Sequence, residues 1–225
     1  MKLYANNVAA FSRPLVLFVA GNDIDVEMVT VNVFEGECKE EAFAKLNPSM
    51  QIPLLDDDGF LLTECSAILK YLADKIDSPD YPKDLQKRAR VNEAMDWFNT
   101  GFIRDFSYQM IYPQILPDHK RPSEEVNRAT VEWGKEKAQI WLGILDSHWL
   151  GSGNRYLCGD DITIADYFAA GPLLVGELIG VKLDGYPNVA RWLENMKSLP
   201  AWETVDYAAA GFVEAMKGPD YVTIG

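Results

Sequence analysis

Three short stretches of this 225-residue chain carry side chains able to do chemistry. Ser12-Arg13-Pro14 sets a hydroxyl ahead of a proline, the pattern with which a helix begins. Ser12 therefore either caps that helix or offers its O–H to an anion held at the helix's amino end. Thr63-Glu64-Cys65-Ser66 opens a second helix, where free amides and the helix dipole favour a negatively charged ligand group. A thiol at such an end, Cys65, is also a candidate for thiol-disulfide exchange. Between them, Gln51-Ile52-Pro53 leads into a strand. An edge that ends at a proline leaves backbone groups free to pair with an extended peptide.

Other chemistries are excluded by what is missing. With only His119 and His148, a three-histidine metal site cannot form, and no HExxH, phosphate-loop or GxSxG pattern occurs. Cys38, Cys65 and Cys158 are an odd count without a CxxC pair, which suits a reducing compartment. Acidic residues outnumber basic ones 34 to 21, giving a net charge of −13 and arguing against nucleic acid or an anionic membrane surface as partner. The longest apolar runs, Leu15 to Ala20 and Tyr167 to Val175, fall short of the roughly 18 residues of a membrane span. The N-terminus lacks the features of a secretory signal, so a cytoplasmic location is expected.

The elements that must position these residues change character along the chain. Lys2 to Ala5 reads as a strand, Phe11 to Gly21 as a helix, Val26 to Val33 as a strand and Lys39 to Leu46 as a helix-prone stretch. Ile52 to Leu55 and Phe60 to Leu62 flank Asp56-Asp57-Asp58-Gly59, a hairpin signal, and Thr63 to Ile76 reads as a helix. The order β-α-β-α-β-β-α predicts a small mixed α/β domain over residues 1–77. Ser78-Pro79-Asp80-Tyr81-Pro82 cannot continue a helix, so a linker is expected over 78–84. Helical periodicity then dominates, predicting an all-helical domain over 85–225.

The run Asn47-Pro48-Ser49-Met50-Gln51-Ile52-Pro53, with Thr63-Glu64-Cys65-Ser66-Ala67-Ile68 beginning ten residues after Pro53, resembles the pattern of cytosolic glutathione transferases. Leu3-Tyr4, Ser12-Arg13-Pro14 and Tyr81-Pro82-Lys83-Asp84-Leu85 are similar to the theta-like class, and the resemblance covers essentially the whole chain. It implies a thioredoxin-like glutathione-binding domain followed by a helical domain, and a homodimer. Glutathione is the implied co-substrate, with no metal, and a small apolar electrophile the second substrate.

The resemblance also implies site residues. Pro53 is expected in the cis form, turning the Ile52 backbone toward the cysteinyl part of glutathione. Glu64 takes the ammonium of the γ-glutamyl end and the Cys65 amide its carboxylate, while Gln51, assisted by Lys39, holds the glycine end. Cys38, Met50 and Cys65 depart from the family's usual histidine, glycine and serine. Ser12 is the implied hydrogen-bond donor to the thiolate, preferred over Tyr4, because a thiol of pKa about 8.5 needs a stabilised anion to react at neutral pH. Arg13 reads as a surface helix charge. The second-substrate pocket is expected from Phe11, Phe102, Arg104, Tyr108 and Tyr112, and either Arg104 or Asp105 reaches glutathione or a partner subunit. Thr163 and Asp166 form a capping box with a folding role.

The expected activity is conjugation of glutathione to electrophiles, with glutathione-dependent peroxidase activity compatible with the same site. The alternatives are a non-catalytic glutathione-fold protein that binds a ligand or partner, and thiol-disulfide exchange through Cys65.

Overall fold

Leu3 and Ala5 alternate with more exposed neighbours, so β1 (Lys2–Ala5) seals one face of a sheet. In the computed structural model of the protein, which describes residues 1–151, 153–216 and 218–225, this strand lies inside a four-stranded sheet of order β2-β1-β3-β4. β2 (Glu27–Thr30) runs parallel to it, with Leu3 opposite Met28, after the chain has crossed over through α1 (Arg13–Gly21). β3 (Leu54–Asp57) and β4 (Phe60–Thr63) add antiparallel strands, Leu3 facing Leu55. Asp58 and Gly59 both take positive φ, as a two-residue hairpin requires. The short α2 (Glu41–Leu46) precedes β3, and α3 (Cys65–Lys75) follows β4.

The segment after α3 does not hang free. Tyr81 and Ser78 are buried, Arg88 stacks over the Tyr81 ring at 4.1 Å, and the Asp80 carbonyl accepts the Ile164 amide at 2.9 Å. Beyond it, α4 (Leu85–Trp97) begins at Asp84, whose carboxylate accepts the amides of Gln86 and Lys87. The same rod continues through two π-helical stretches, Phe98–Phe102 and Arg104–Ile111, into α5 (Tyr112–Ile115). Such widened turns recur at functional sites, and this one runs past the cavities described below.

The rest is helical as expected: α6 (Glu124–Ile144), α7 (Ile164–Leu174), α8 (Pro187–Lys197) and α9 (Glu203–Ala215). The helix α7 is buried along its whole length, and α1 and α3 pack against it, so a single apolar core joins the sheet domain to the helices. Its start is fixed by Asp166, which accepts hydrogen bonds from the Thr163 amide and hydroxyl, the Leu157 amide and the Trp192 indole. Among the described residues no helix is long and apolar enough to cross a membrane.

Candidate functional site

Two cavities lie side by side where the sheet domain meets the first helices of the helical domain. The first, of about 200 Å³, is bounded by Gln51, Ile52 and Pro53 ahead of β3, by Glu64, Cys65 and Ser66 at the start of α3, and by Asn99 and Arg104 on the π-helical rod. The second, of about 250 Å³, is apolar and is walled by Ala9, Ala10, Cys38, Tyr112, Ile115 and Leu178 among others. Phe11, Gln51, Ile52 and Tyr108 line both.

The loop before β3 is shaped by Asn47, which is buried. Its amide nitrogen donates to the Gln51 carbonyl at 2.7 Å and its oxygen accepts the Ser49 amide at 3.0 Å. The Ile52–Pro53 peptide is cis. Glu64 sits at φ 69°, a left-handed conformation uncommon for a residue with a side chain, immediately before the free amides of α3. Backbone strain of this kind collects at ligand sites. Ser66, which the motif reading passed over, brings a hydroxyl to the first cavity beside Cys65. Burial pushes the Cys65 thiol well up, and the Glu64 carboxylate adds to this, so the sulfur stays protonated and unreactive. That weighs against thiol exchange.

Arg104 lines the first cavity, while Asp105 is turned away from it. Asp105 accepts both the Nε and Nη2 of Arg104 at 2.8 Å and the Trp141 indole at 2.7 Å. Burial opposes its charge, but these donors outweigh burial and hold the carboxyl below the usual range. Asp105 thereby sets the guanidinium at the cavity edge. In the second cavity Tyr112 packs against Tyr108 and His119, with ring centroids 5.1 Å from each. Burial and the Arg121 charge keep His119 below the usual histidine range, and so neutral, against the weaker pull of Asp118.

Four residues stand in surroundings that differ from those the sequence suggests. Ser12 is fully buried, lines neither cavity and makes no side-chain cap; its Oγ accepts the Asn6 amide at 3.2 Å. Arg13 is not a surface charge: it is 5% exposed, with Nε donating to the Asn7 carbonyl at 3.1 Å. Its guanidinium lies near enough to Tyr112 to act against the burial that raises that phenol's pKa. Lys39 lines neither cavity and pairs with Asp118 at 2.5 Å, each next in sequence to a residue that walls the apolar cavity, Cys38 and His119. Phe102 is sealed in the core, stacked on Phe106 at 4.9 Å, and lines neither of these two cavities.

The arrangement thus offers a polar cleft at a helix amino end, fit for a small peptide with charged ends, beside an apolar chamber. Comparison with known proteins agrees. Residues 1–74 match the glutathione S-transferase N-terminal domain and residues 107–200 the glutathione S-transferase C-terminal domain. The chain is 32% identical over 206 residues to glutathione S-transferase theta-1 of Mus musculus, covering 88% of this chain and 82% of that one. It is 33% identical over 199 residues to glutathione S-transferase theta-2 of Homo sapiens, covering 85% and 78%. A crystal structure of human glutathione transferase theta-2, in complex with glutathione and an unknown ligand, superposes with a TM-score of 0.82 at 30% identity, covering 96% of this chain and 88% of that one. With both halves matched in order and theta-named relatives aligned over most of its length, the chain belongs to the glutathione S-transferase family.

Proposed function

We propose that the protein is a glutathione transferase, joining the sulfur of glutathione to small apolar electrophiles. The observation that carries this reading is the shared wall: a polar cavity and an apolar cavity are divided by only Phe11, Gln51, Ile52 and Tyr108. Glutathione in the first puts its sulfur at that wall, facing an electrophile in the second. Glu64 holds the γ-glutamyl ammonium, and the first amides of α3 with the Ser66 hydroxyl receive the carboxylate. The Ile52 backbone pairs with the cysteinyl unit, and Gln51 lies toward the glycine end.

In the reaction the thiol proton leaves to solvent, the thiolate pair forms a bond to carbon, and the leaving group departs with the electrons of its own bond. The chain supplies positioning and anion stabilisation rather than a covalent intermediate. The guanidinium of Arg13, buried and within electrostatic reach of Tyr112 in the apolar wall, favours negative charge there. Phe11, Tyr108 and Tyr112 wall in the electrophile.

Cytoplasmic action is supported by three cysteines with no disulfide among them. Dimerisation with a second copy is supported by α6, which exposes Val126, Trp133 and Ile140 at intervals of one heptad, a stripe a like helix would cover.

Calorimetric titration of glutathione into the parent and a Glu64→Gln variant, followed by turnover of an activated aryl halide, tests the reading. The parent binds and turns over. The variant, losing a charge-assisted contact, binds roughly ten- to a hundredfold more weakly. A parent that ignores glutathione at millimolar concentration would sink the reading.

A further inference from the structure

Among the described residues no Asp, Glu, Lys or Arg side chain lines the apolar cavity, so it suits an electrophile without charge. Its polar side chains are few. Gln51 and Tyr108 belong to the wall shared with the first cavity, and Cys38, Tyr112 and His119 to the second alone. Cys38 and Tyr112 are 7% and 8% exposed, whereas His119 is only half-buried. The imidazole is held in place: its ring centroid stands 5.1 Å from that of Tyr112 and 5.6 Å from that of Tyr108, and the His119 amide donates to the Leu116 carbonyl at 3.0 Å in the turn after α5. Neither ring nitrogen has a hydrogen-bond partner among the described residues. An N–H left without a partner in an apolar wall is satisfied by an oxygen of the ligand.

We propose that His119 determines which electrophiles the site prefers: its N–H donates to an oxygen of the electrophile, favouring uncharged molecules whose reaction moves negative charge onto that oxygen, the class of α,β-unsaturated ketones. The proposal rests on the glutathione transferase reading above and holds whichever group stabilises the thiolate. In this addition the thiolate pair forms the bond to the β-carbon, the carbon–carbon π pair shifts toward the carbonyl carbon, and the carbonyl π pair comes to rest on oxygen as an enolate. His119 donates to that oxygen and keeps its own proton. The enolate then takes a proton from solvent at its α-carbon, balancing the one the thiol gave up, and nothing departs. A donor placed where charge develops stabilises the transition state more than the ground state, and more strongly in apolar surroundings. Burial and the Arg121 charge keep the imidazole neutral, so it offers one N–H without bringing a charge into the cavity. An alkyl halide carries its charge away on the halide and gains less from such a donor.

The test measures kcat/KM of the parent, His119→Phe and His119→Gln with glutathione and two uncharged electrophiles, benzylideneacetone and benzyl chloride. His119→Phe keeps a flat ring and loses the N–H, while His119→Gln regains an N–H. Changes of wall shape act on both electrophiles, so the quantity read is the ratio of the ketone's kcat/KM to the halide's. The expected result is a ratio at least about tenfold lower in His119→Phe and within about threefold of the parent in His119→Gln. An unchanged ratio in His119→Phe overturns the proposal, because the ring would then act only as cavity wall. A His119→Gln ratio no higher than that of His119→Phe does the same, as does a parent that turns over the halide but not the ketone. A parent that turns over neither electrophile sinks the transferase reading and this proposal together.

Discussion

The carbonyl of Ala10 lies directly against the backbone of Gly171, so closely that a Cβ at position 171 would stand 2.1 Å from the Ala10 oxygen and under 3 Å from the Pro14 ring. A glycine in the buried helix α7 therefore lets the loop that walls the apolar cavity seat onto the core. Gly171→Ala must displace that loop or the helix, because neither a carbonyl nor a proline ring can swing aside. Overpacking of this kind costs about 1–3 kcal/mol. The expected outcome is a Tm lower by about 2–12 °C for a chain of this size, together with weakened electrophile binding. An unchanged Tm in differential scanning calorimetry would show that the contact relaxes freely.

Ser12→Ala tests what the buried hydroxyl contributes. The hydroxyl accepts one amide hydrogen, from Asn6, and touches neither cavity. Its loss is expected to cost about 1 kcal/mol of stability and to leave kcat/KM within about twofold. A hundredfold drop in kcat/KM with the fold intact would mean that Ser12 gives up the Asn6 contact and reaches the sulfur during catalysis.

The contrast between these two positions marks what the sequence discloses. Gln51, Ile52, Pro53, Glu64 and Cys65 share one cavity; the hairpin at Asp58-Gly59, the capping box at Thr163 and Asp166, and the cis Ile52–Pro53 peptide were all readable, because local backbone chemistry fixes them. Ser12, Arg13, Lys39 and Phe102 were not, because the direction of each side chain is set by distant partners. Asn6 engages the Ser12 hydroxyl, Asp118 pairs with Lys39, and Phe106 with the rest of the core takes Phe102 inward. The π-helical winding from Phe98 to Ile111 adds to this, since it alters the spacing by which residues share a face and carries no strong composition signal.

Asp80 gives a stability profile with a definite sign. Its carboxyl is pushed up to about 6 by burial, aided by the nearby Asp166 charge and opposed by the Tyr167 hydroxyl. The folded pKa is above the unfolded one, so the stabilisation it confers is present below about 4 and is lost as pH rises to about 6. The full shift corresponds to about 3 kcal/mol, and partial exposure reduces this to about 1 kcal/mol. Asp80→Asn is therefore expected to match the parent at pH 4 and exceed it by that amount at pH 7, as read from urea midpoints. Equal midpoints at both values would remove Asp80 from the profile.

Asp166 ties separate segments of the helical domain together. It has no exposed surface, and its two oxygens accept four hydrogen bonds that join three separate segments: the Leu157 amide, the Thr163 amide and hydroxyl at the start of α7, and the Trp192 indole of α8. Burial still pushes the carboxyl's pKa up, so those donors are what make the site tolerable for a charge. Asp166→Ala leaves the four donors facing a cavity that no water-filled surface reaches. Removing one side of such a network costs about 3–5 kcal/mol, equivalent to a fall in Tm of roughly 6–20 °C. Asp166→Asn keeps the shape and one acceptor oxygen, and its loss should be smaller. Because Trp192 reports on the same contact, its fluorescence should change in the alanine variant under native conditions. A stable alanine variant with unaltered emission would show that packing of α7 and α8 alone defines the domain.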